Sequence, residues 1–257
     1  MGIFVVVPII MVVVYAFTNA QGSFTVDNFK GMGAYVSVFG RSFGLAIVAT
    51  AVCILIGYPL AYVLSREGAR LQKIFIMLIM LPMWMNFLLR TYAWMSILED
   101  TGLINSLLAK LGLPGIHMIN TSGAVVLGMV YNYLPFMVLP IYSVISKLDR
   151  RLIEAAEDLG STPLQVFTRV VFPLSLPGVL SGITMVFVPS VSTFAISQLL
   201  GGSRSILLGD LIEMQFLGSA YNPHLGSAIA LVMMVIVLIC MWIMNKFGAG
   251  EETAVMF

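Results

Sequence analysis

The chain has 257 residues, of which 60% are apolar and only 10% charged, and its net charge is +1. Soluble domains carry roughly a quarter charged residues, so a water-soluble globule is excluded and lipid is the expected solvent. The net charge itself is uninformative, and no basic run suggests a nucleic-acid partner.

Residues 2–18 open the chain with the first of five runs free of Asp, Glu, Lys and Arg; the others are 42–65, 124–146, 174–200 and 225–245. Most approach the ~20 residues that span hydrocarbon. The first run resembles a signal peptide, since Thr18-Asn19-Ala20 has cleavage-site chemistry, but it lacks a basic leading segment and reads as a retained helix. A sixth run, 74–98, contains Asn86 and Arg90. In lipid each backbone amide must be satisfied within its segment, and these runs are too long for alternating barrel strands of ~10 residues. The expectation is an all-α integral membrane protein with six transmembrane helices, forming one domain over 1–257. Cys53 and Cys240 fall inside spans and read as small packing residues.

With a cytoplasmic N-terminus, the inner segments carry Arg66, Arg70, Lys73, Lys147, Arg150, Arg151, Arg169 and Lys246. Lys30, Arg41, Arg90, Lys110 and Arg204 then lie outside or near the outer face, and the inner excess favours that orientation. Among the outer segments, 21–40 is rich in Gly and polar residues. In 100–122, Leu103, Leu107, Leu108 and Leu111 recur at helical spacing before Gly112 and Pro114. The segment 201–223 carries Asp210 and Glu213, and suggests another short helix.

The inner segment 147–172 is the most charged. Asp149 is placed to cap a helix in which Leu152, Ala155, Ala156 and Leu159 form an apolar stripe. Gly160 suits a left-handed stop. Thr162, Pro163 and Gln165 then supply a cap, a first-turn proline and a capping box. The spacing predicts helix, sharp turn and helix, ending near Pro173. A rigid amphipathic corner fits a docking element better than a linker.

Other chemistry is scarce. No G-x-x-x-x-G-K-[ST] phosphate loop occurs, and no lysine follows a glycine. His117 and His224 are isolated, which argues against a metal or catalytic histidine site. The absence of mid-membrane carboxylates argues against a self-contained proton- or sodium-coupled transporter, and a channel or sensor scaffold needs no docking loop.

Glu154-Ala155-Ala156, Gly160, Val170 and Pro173 resemble the EAA loop of ABC-importer permeases, in which EAA is followed after three residues by G, and after nine more by I-x-L-P. Val170 and Phe172 replace the Ile and Leu of that pattern. From about residue 40 to 246 the resemblance narrows to the permeases of bacterial spermidine/putrescine importers. It is carried by Leu81-Pro82-Met83-Trp84, Leu89-Arg90-Thr91-Tyr92-Ala93, Gly102-Leu103-Ile104-Asn105, Leu134-Pro135-Phe136-Met137 and Lys147-Leu148-Asp149.

The resemblance implies a type I ABC importer permease fold in the bacterial cytoplasmic membrane, with both termini cytoplasmic. It implies a coupling helix between the fourth and fifth spans that sits in a groove of an ATP-binding subunit. Glu154 then makes the polar contact, Ala155 and Ala156 permit close approach, Gly160 sets the angle and Pro173 closes the motif. The partners implied are a second related permease, two ATP-binding subunits and a periplasmic or lipid-anchored solute-binding protein. ATP and Mg belong to the partner ATPase, and this non-catalytic chain holds no cofactor of its own.

A polyamine is a flexible polycation, so its route should offer aromatic faces and carboxylates. Trp84, Tyr92 and Trp94 in the third span, Tyr131 and Asn132 in the fourth and Thr193 in the fifth are candidates, with Glu99, Asp100, Asp210 and Glu213 toward the outer side. Aromatics also favour membrane interfaces and hydroxyls also join helices, and another small solute of the same branch is the alternative substrate. Arg90 is expected to face lipid headgroups or to pair with Glu99 or Asp100.

Overall fold

The computed structural model describes residues 2–202, 205–218 and 221–252; Arg204 lies outside them. The described residues form helices and contain no β-sheet. Helix α1, Gly2–Ala16, exposes Ile3, Phe4, Val5 and Ile10, as an apolar helix bathed in lipid does. Its last carbonyl, Ala16 O, accepts from the Asn28 amide at 2.9 Å, and the same amide donates to Thr18 O at 3.0 Å. The short α2, Asp27–Gly31, leads through a 3₁₀ turn into α3, Val36–Arg66, of 31 residues.

Helix α4, Ala69–Met80, gives way to a 3₁₀ turn at Leu81–Trp84, Met85 is extended, and α5 runs Phe87–Leu98. The expected continuous span 74–98 is therefore broken. Pro82 cannot donate to the helical ladder and its ring crowds the preceding turn, and Asn86 starts the new helix by accepting from Leu88 N–H at 2.9 Å. Helix α6, Leu103–Lys110, precedes α7, Ser122–Ile145. The inner corner comprises α8, Arg150–Asp158, and α9, Pro163–Val166, followed by a π-helical turn at Phe167–Val171. Helix α10, Phe172–Ser192, stops short of the expected residue 200. A second π-helical turn at Ser197–Gly201 leads to α11, Leu208–Leu217, and α12, Pro223–Glu252.

Among the described residues, four helices are long and apolar enough to cross a membrane: Asp27–Arg66, Ser122–Ile145, Pro163–Ser192 and Pro223–Met244. The pair Ala69–Trp84 and Phe87–Lys110, bent by 91°, brings the number to five when counted as one span. Helix α1, with 15 residues, reaches only about 22 Å.

The chain forms two compact units, and α3, α7, α10 and α12 contribute to both. One unit comprises Met1–Ile47, Thr91–Gly128 and Pro189–Cys240; the other comprises Val48–Arg90, Met129–Val188 and Met241–Phe257. The second unit has a core of Cys53, Tyr58, Ala61, Met137, Val138, Ile141, Val171, Val179 and Val186. Its helices approach closely at glycines. A Cβ on Gly178 would lie 2.9 Å from Pro140 O and 3.1 Å from Ile141 Cα, and one on Gly182 would lie 2.7 Å from Met137 Sδ. Gly178 and Gly182 form a G-x-x-x-G seam, the spacing that lets membrane helices pack backbone to backbone.

In the first unit, Asn105 staples the outer segment after α5. Its amide donates to Glu99 O and Ile116 O, and its Oδ1 accepts from Ile116 N–H at 2.8 Å. Gly209 lies where a Cβ would meet Thr193 O and Ser192 O at 2.5 and 2.6 Å, so α11 seats its backbone against the end of α10.

Candidate coupling site

The inner corner is built from local hydrogen-bonding rules. Asp149 caps α8 by accepting from Arg151 N–H at 3.0 Å. At the far end Gly160 has φ +79°, its N–H donates to Glu157 O at 2.8 Å, and Ser161 N–H reaches Ala156 O at 3.1 Å. These paired bonds are the Schellman termination, which needs a left-handed residue. Thr162 Oγ1 accepts from Gln165 N–H while Gln165 Oε1 accepts from Thr162 N–H at 2.9 Å, and Pro163 takes the first helical position. The expected helix, turn and helix are all present.

One expectation is corrected here. The second helix does not end near Pro173; α9 runs through the π-helical turn into α10, with Pro173 in the first turn of α10. Proline has no N–H to continue the ladder, and the π-helical turn lies just before it. Of the apolar stripe, Ala156 turns inward while Leu152, Ala155 and Leu159 are exposed. Ile153 and Ala156 pack on the core of the second unit. Leu152 is 49% exposed and Leu159 88%, and Leu164 on α9 is 72% exposed. A two-turn helix places neighbouring apolar residues on both sides, and Ile153 takes the inward position.

Behind the corner, the Phe167 ring lies edge-on to Tyr58 and Tyr62, with centroids 5.7 and 5.2 Å away, and Phe172 packs on Tyr58. Tyr58 Oη donates to Ser175 Oγ at 2.7 Å, since Ser175 itself donates to Phe172 O. The exit of the corner is thus joined to the inner half of α3. Glu154 and Glu157 line one wall of an open cleft of about 410 Å³, whose other walls include Tyr62, Arg66, Gln72 and Ser146. Ala155 and Glu154 are exposed, so the EAA triplet presents two of its three side chains to solvent and turns Ala156 inward.

The candidate route residues are distributed differently. In the first unit, Thr193, Asp210 and Glu213 come together around the junction of α10 and α11, where Gln198 Nε2 donates to Glu213 Oε2. Asp210 is 4% exposed and its Oδ2 accepts from Leu207 N–H at 2.8 Å. Burial pushes its carboxyl up to about 6, and nearby Glu213 adds to the rise. The Leu207 N–H, Ser197 and Gln198 work in the opposite direction. Asp100 is engaged by His117 Nδ1 at 2.8 Å, Glu99 is exposed, Tyr92 is 47% exposed and Trp94 is half-buried. In the second unit Asn132 is 3% exposed, Tyr131 is half-buried and Trp84, at 74%, is one of the most exposed aromatics.

Arg90 does not behave as expected. It is only 8% exposed, so it does not face headgroups, and Asp100 has His117 instead. Its Nε and Nη1 have no hydrogen-bond partner among the described residues. The residues that sequence reasoning passed over are Gly178 and Gly182, whose spacing was the available signal, and Arg66, for which no local signal existed.

Long apolar helices carrying a capped, charged corner define a multi-span membrane protein. The chain belongs to the family of binding-protein-dependent transport system inner membrane components, whose profile matches residues 53–249. It is 36% identical over 250 residues to the spermidine/putrescine transport system permease protein PotB of Haemophilus influenzae, covering 93% of this chain and 87% of the relative. It is 35% identical to the PotB protein of Escherichia coli over 91% of this chain and 88% of that one. A subunit of a bacterial ABC transporter that imports the acidic polysaccharide alginate shares the fold, with TM-score 0.78 and 18% identity over 96% of this chain and 90% of the other. This protein is therefore a membrane permease subunit of an ABC importer.

Proposed function

We propose that this permease forms half of a translocation pathway for polyamines of the spermidine and putrescine class, delivered by an external binding protein. The observation that carries the substrate is the likeness to PotB proteins along nearly the whole chain. The chemistry around α11 supports it. Asp210 and Glu213 put two carboxylates one helical turn apart, near Thr193, at the end of α10. An extended polycation can meet them in succession, with Tyr92, Trp94, Glu99 and Asp100 of the same unit as further contacts; Trp84, Tyr131 and Asn132 are candidates that the second unit offers by itself. A second, related permease supplies the other half.

Two ATP-binding subunits hydrolyse ATP with Mg, and the corner at Glu154–Gly160 docks one of them. Leu152, Leu159 and Leu164 support this reading, because exposed leucines on a charged corner mark a surface that a partner covers. Glu154 supplies the polar contact, Ala155 the close approach, and Gly160 and Pro173 hold the corner on the membrane helix. Both termini lie in the cytoplasm. ATP binding draws the corners together and switches the permease pair between inward-open and outward-open states, between which the solute must have differential contacts.

Uptake of radiolabelled spermidine and putrescine by the reconstituted complex tests the substrate. Saturable, ATP-dependent uptake that unlabelled polyamines compete and unrelated solutes do not is expected. Indifference to polyamines overturns the substrate assignment while leaving the permease family intact.

A further inference from the structure

The cleft behind α8 has opposite charges on its two walls. Arg66 stands at the end of α3 with its guanidinium carbon 4.4 Å from the centroid of the Tyr62 ring, and Glu154 and Glu157 face the cleft from α8. The ion pairs among the described residues are Lys30–Asp27 and His117–Asp100, so neither glutamate is bridged to Arg66.

The two walls differ in how firmly they are held. On the Arg66 side, Gln72 Nε2 donates to Glu67 O at 2.8 Å and to Ser65 O at 3.4 Å, and its Oε1 accepts from Tyr142 Oη at 2.9 Å. The α3–α4 turn is thereby tied to α7. On the other side, α8 is nine residues long, hangs between the turn at 146–149 and Gly160, and rests on the core through Ile153 and Ala156. The α3 wall carries the cation and the α8 wall carries the anions.

We propose that Arg66 is a positioning residue for the coupling helix. As α8 swings toward α3 the cleft narrows, and Arg66 leaves the Tyr62 face to bridge Glu157 and Glu154. A guanidinium over a half-buried aromatic ring and a partly hydrated ion pair are both weak interactions of similar strength. The exchange is therefore close to balanced and can be driven either way by what docks on the opposite face of α8. Arg66 then holds the corner at one of two angles rather than contacting solute or nucleotide.

Two measurements on the assembled complex test this, and neither depends on which solute is carried. In the first, cysteines replace Arg66 and Glu157 in a background carrying Cys53→Ser and Cys240→Ser, and disulfide formation under mild oxidation is compared without nucleotide and with ATP trapped by vanadate. A several-fold difference in cross-linking between the two states is expected; equal yields in both overturn the swing. In the second, ATP hydrolysis stimulated by the binding protein is measured for charge-reversed variants. Arg66→Glu should lower it about five-fold, Arg66→Lys should keep most of it, and Arg66→Glu with Glu157→Arg should recover most of the loss, as coupled residues do in a double-mutant cycle. Additive losses, or a Lys variant as impaired as Glu, reduce Arg66 to a packing residue and overturn the proposal.

Discussion

The backbone N–H of Leu208 donates to the Oγ of Ser42 at 2.8 Å, and both residues are completely buried. A serine in the outer part of α3 thus satisfies one of the free N–H groups that begin α11, beside the Leu207 N–H held by Asp210. Helix N-termini leave such donors without internal partners, and a buried one left unmade costs about 1–3 kcal/mol. Ser42→Ala should lower the melting temperature of the detergent-solubilised complex by several degrees, with expression retained. A melting temperature equal to the wild type would show that α11 does not depend on this bond.

The G-x-x-x-G seam gives a second test. At Gly178 the obstructing atoms are backbone, Pro140 O and Ile141 Cα, so they cannot be turned aside. At Gly182 the nearest is Met137 Sδ, the flexible part of a side chain. Overpacking typically costs about 1–3 kcal/mol. Gly178→Val should therefore destabilise the folded protein more than Gly182→Ala, as read by thermal unfolding in detergent. The reverse order would show that α7 and α10 yield more readily than Met137.

The corner can be tested without disturbing the membrane helices. A Cβ on Gly160 meets nothing within 4 Å, so only its φ of +79° resists substitution. A β-branched residue in that region costs about 1–2 kcal/mol, whereas asparagine tolerates it. Gly160→Val and Glu154→Arg should each abolish ATP-driven uptake while insertion in the membrane stays normal, and Gly160→Asn should keep substantial activity. Full uptake in both disruptive variants would remove the coupling role from this segment.

Asp210 links stability to pH. Its carboxyl titrates near about 6 rather than at the ordinary 3.8, chiefly because of burial. The folded state therefore holds the proton more tightly than the unfolded chain. The stability this contributes is complete below about pH 4 and is lost as pH rises through about 6. Asp210→Asn keeps an oxygen for Leu207 N–H and carries no charge, so it should gain stability relative to wild type as pH rises from 5 to 7. A melting-temperature difference that is constant across that range would contradict the shift.

Much of the inner corner was legible because its rules are local. Asp149, Gly160, Thr162 and Gln165 each act within four residues, and the structure places every one in the role its neighbours imply. What failed depended on packing over longer distances. The side of α8 that turns inward is decided by the core that Ile153 and Ala156 meet, which no spacing within the helix states. The break in 74–98 had a visible cause in Pro82, but an apolar run masks where a helix turns. Gly178 and Gly182 were readable as a spacing, though not which helix they would meet. Arg66 acquires meaning only when the fold brings it across a cleft from Glu157.

Because no side chain wedges Gly160 into place, the corner between α8 and α9 keeps its angle by its own hydrogen bonds, from Asp149 at one end to Gln165 at the other. A docking surface that is already shaped before its partner arrives loses little conformational freedom on assembly. Under the proposed coupling role, recognition can then be fast and weak without being vague, because the corner brings its own shape to whatever docks there.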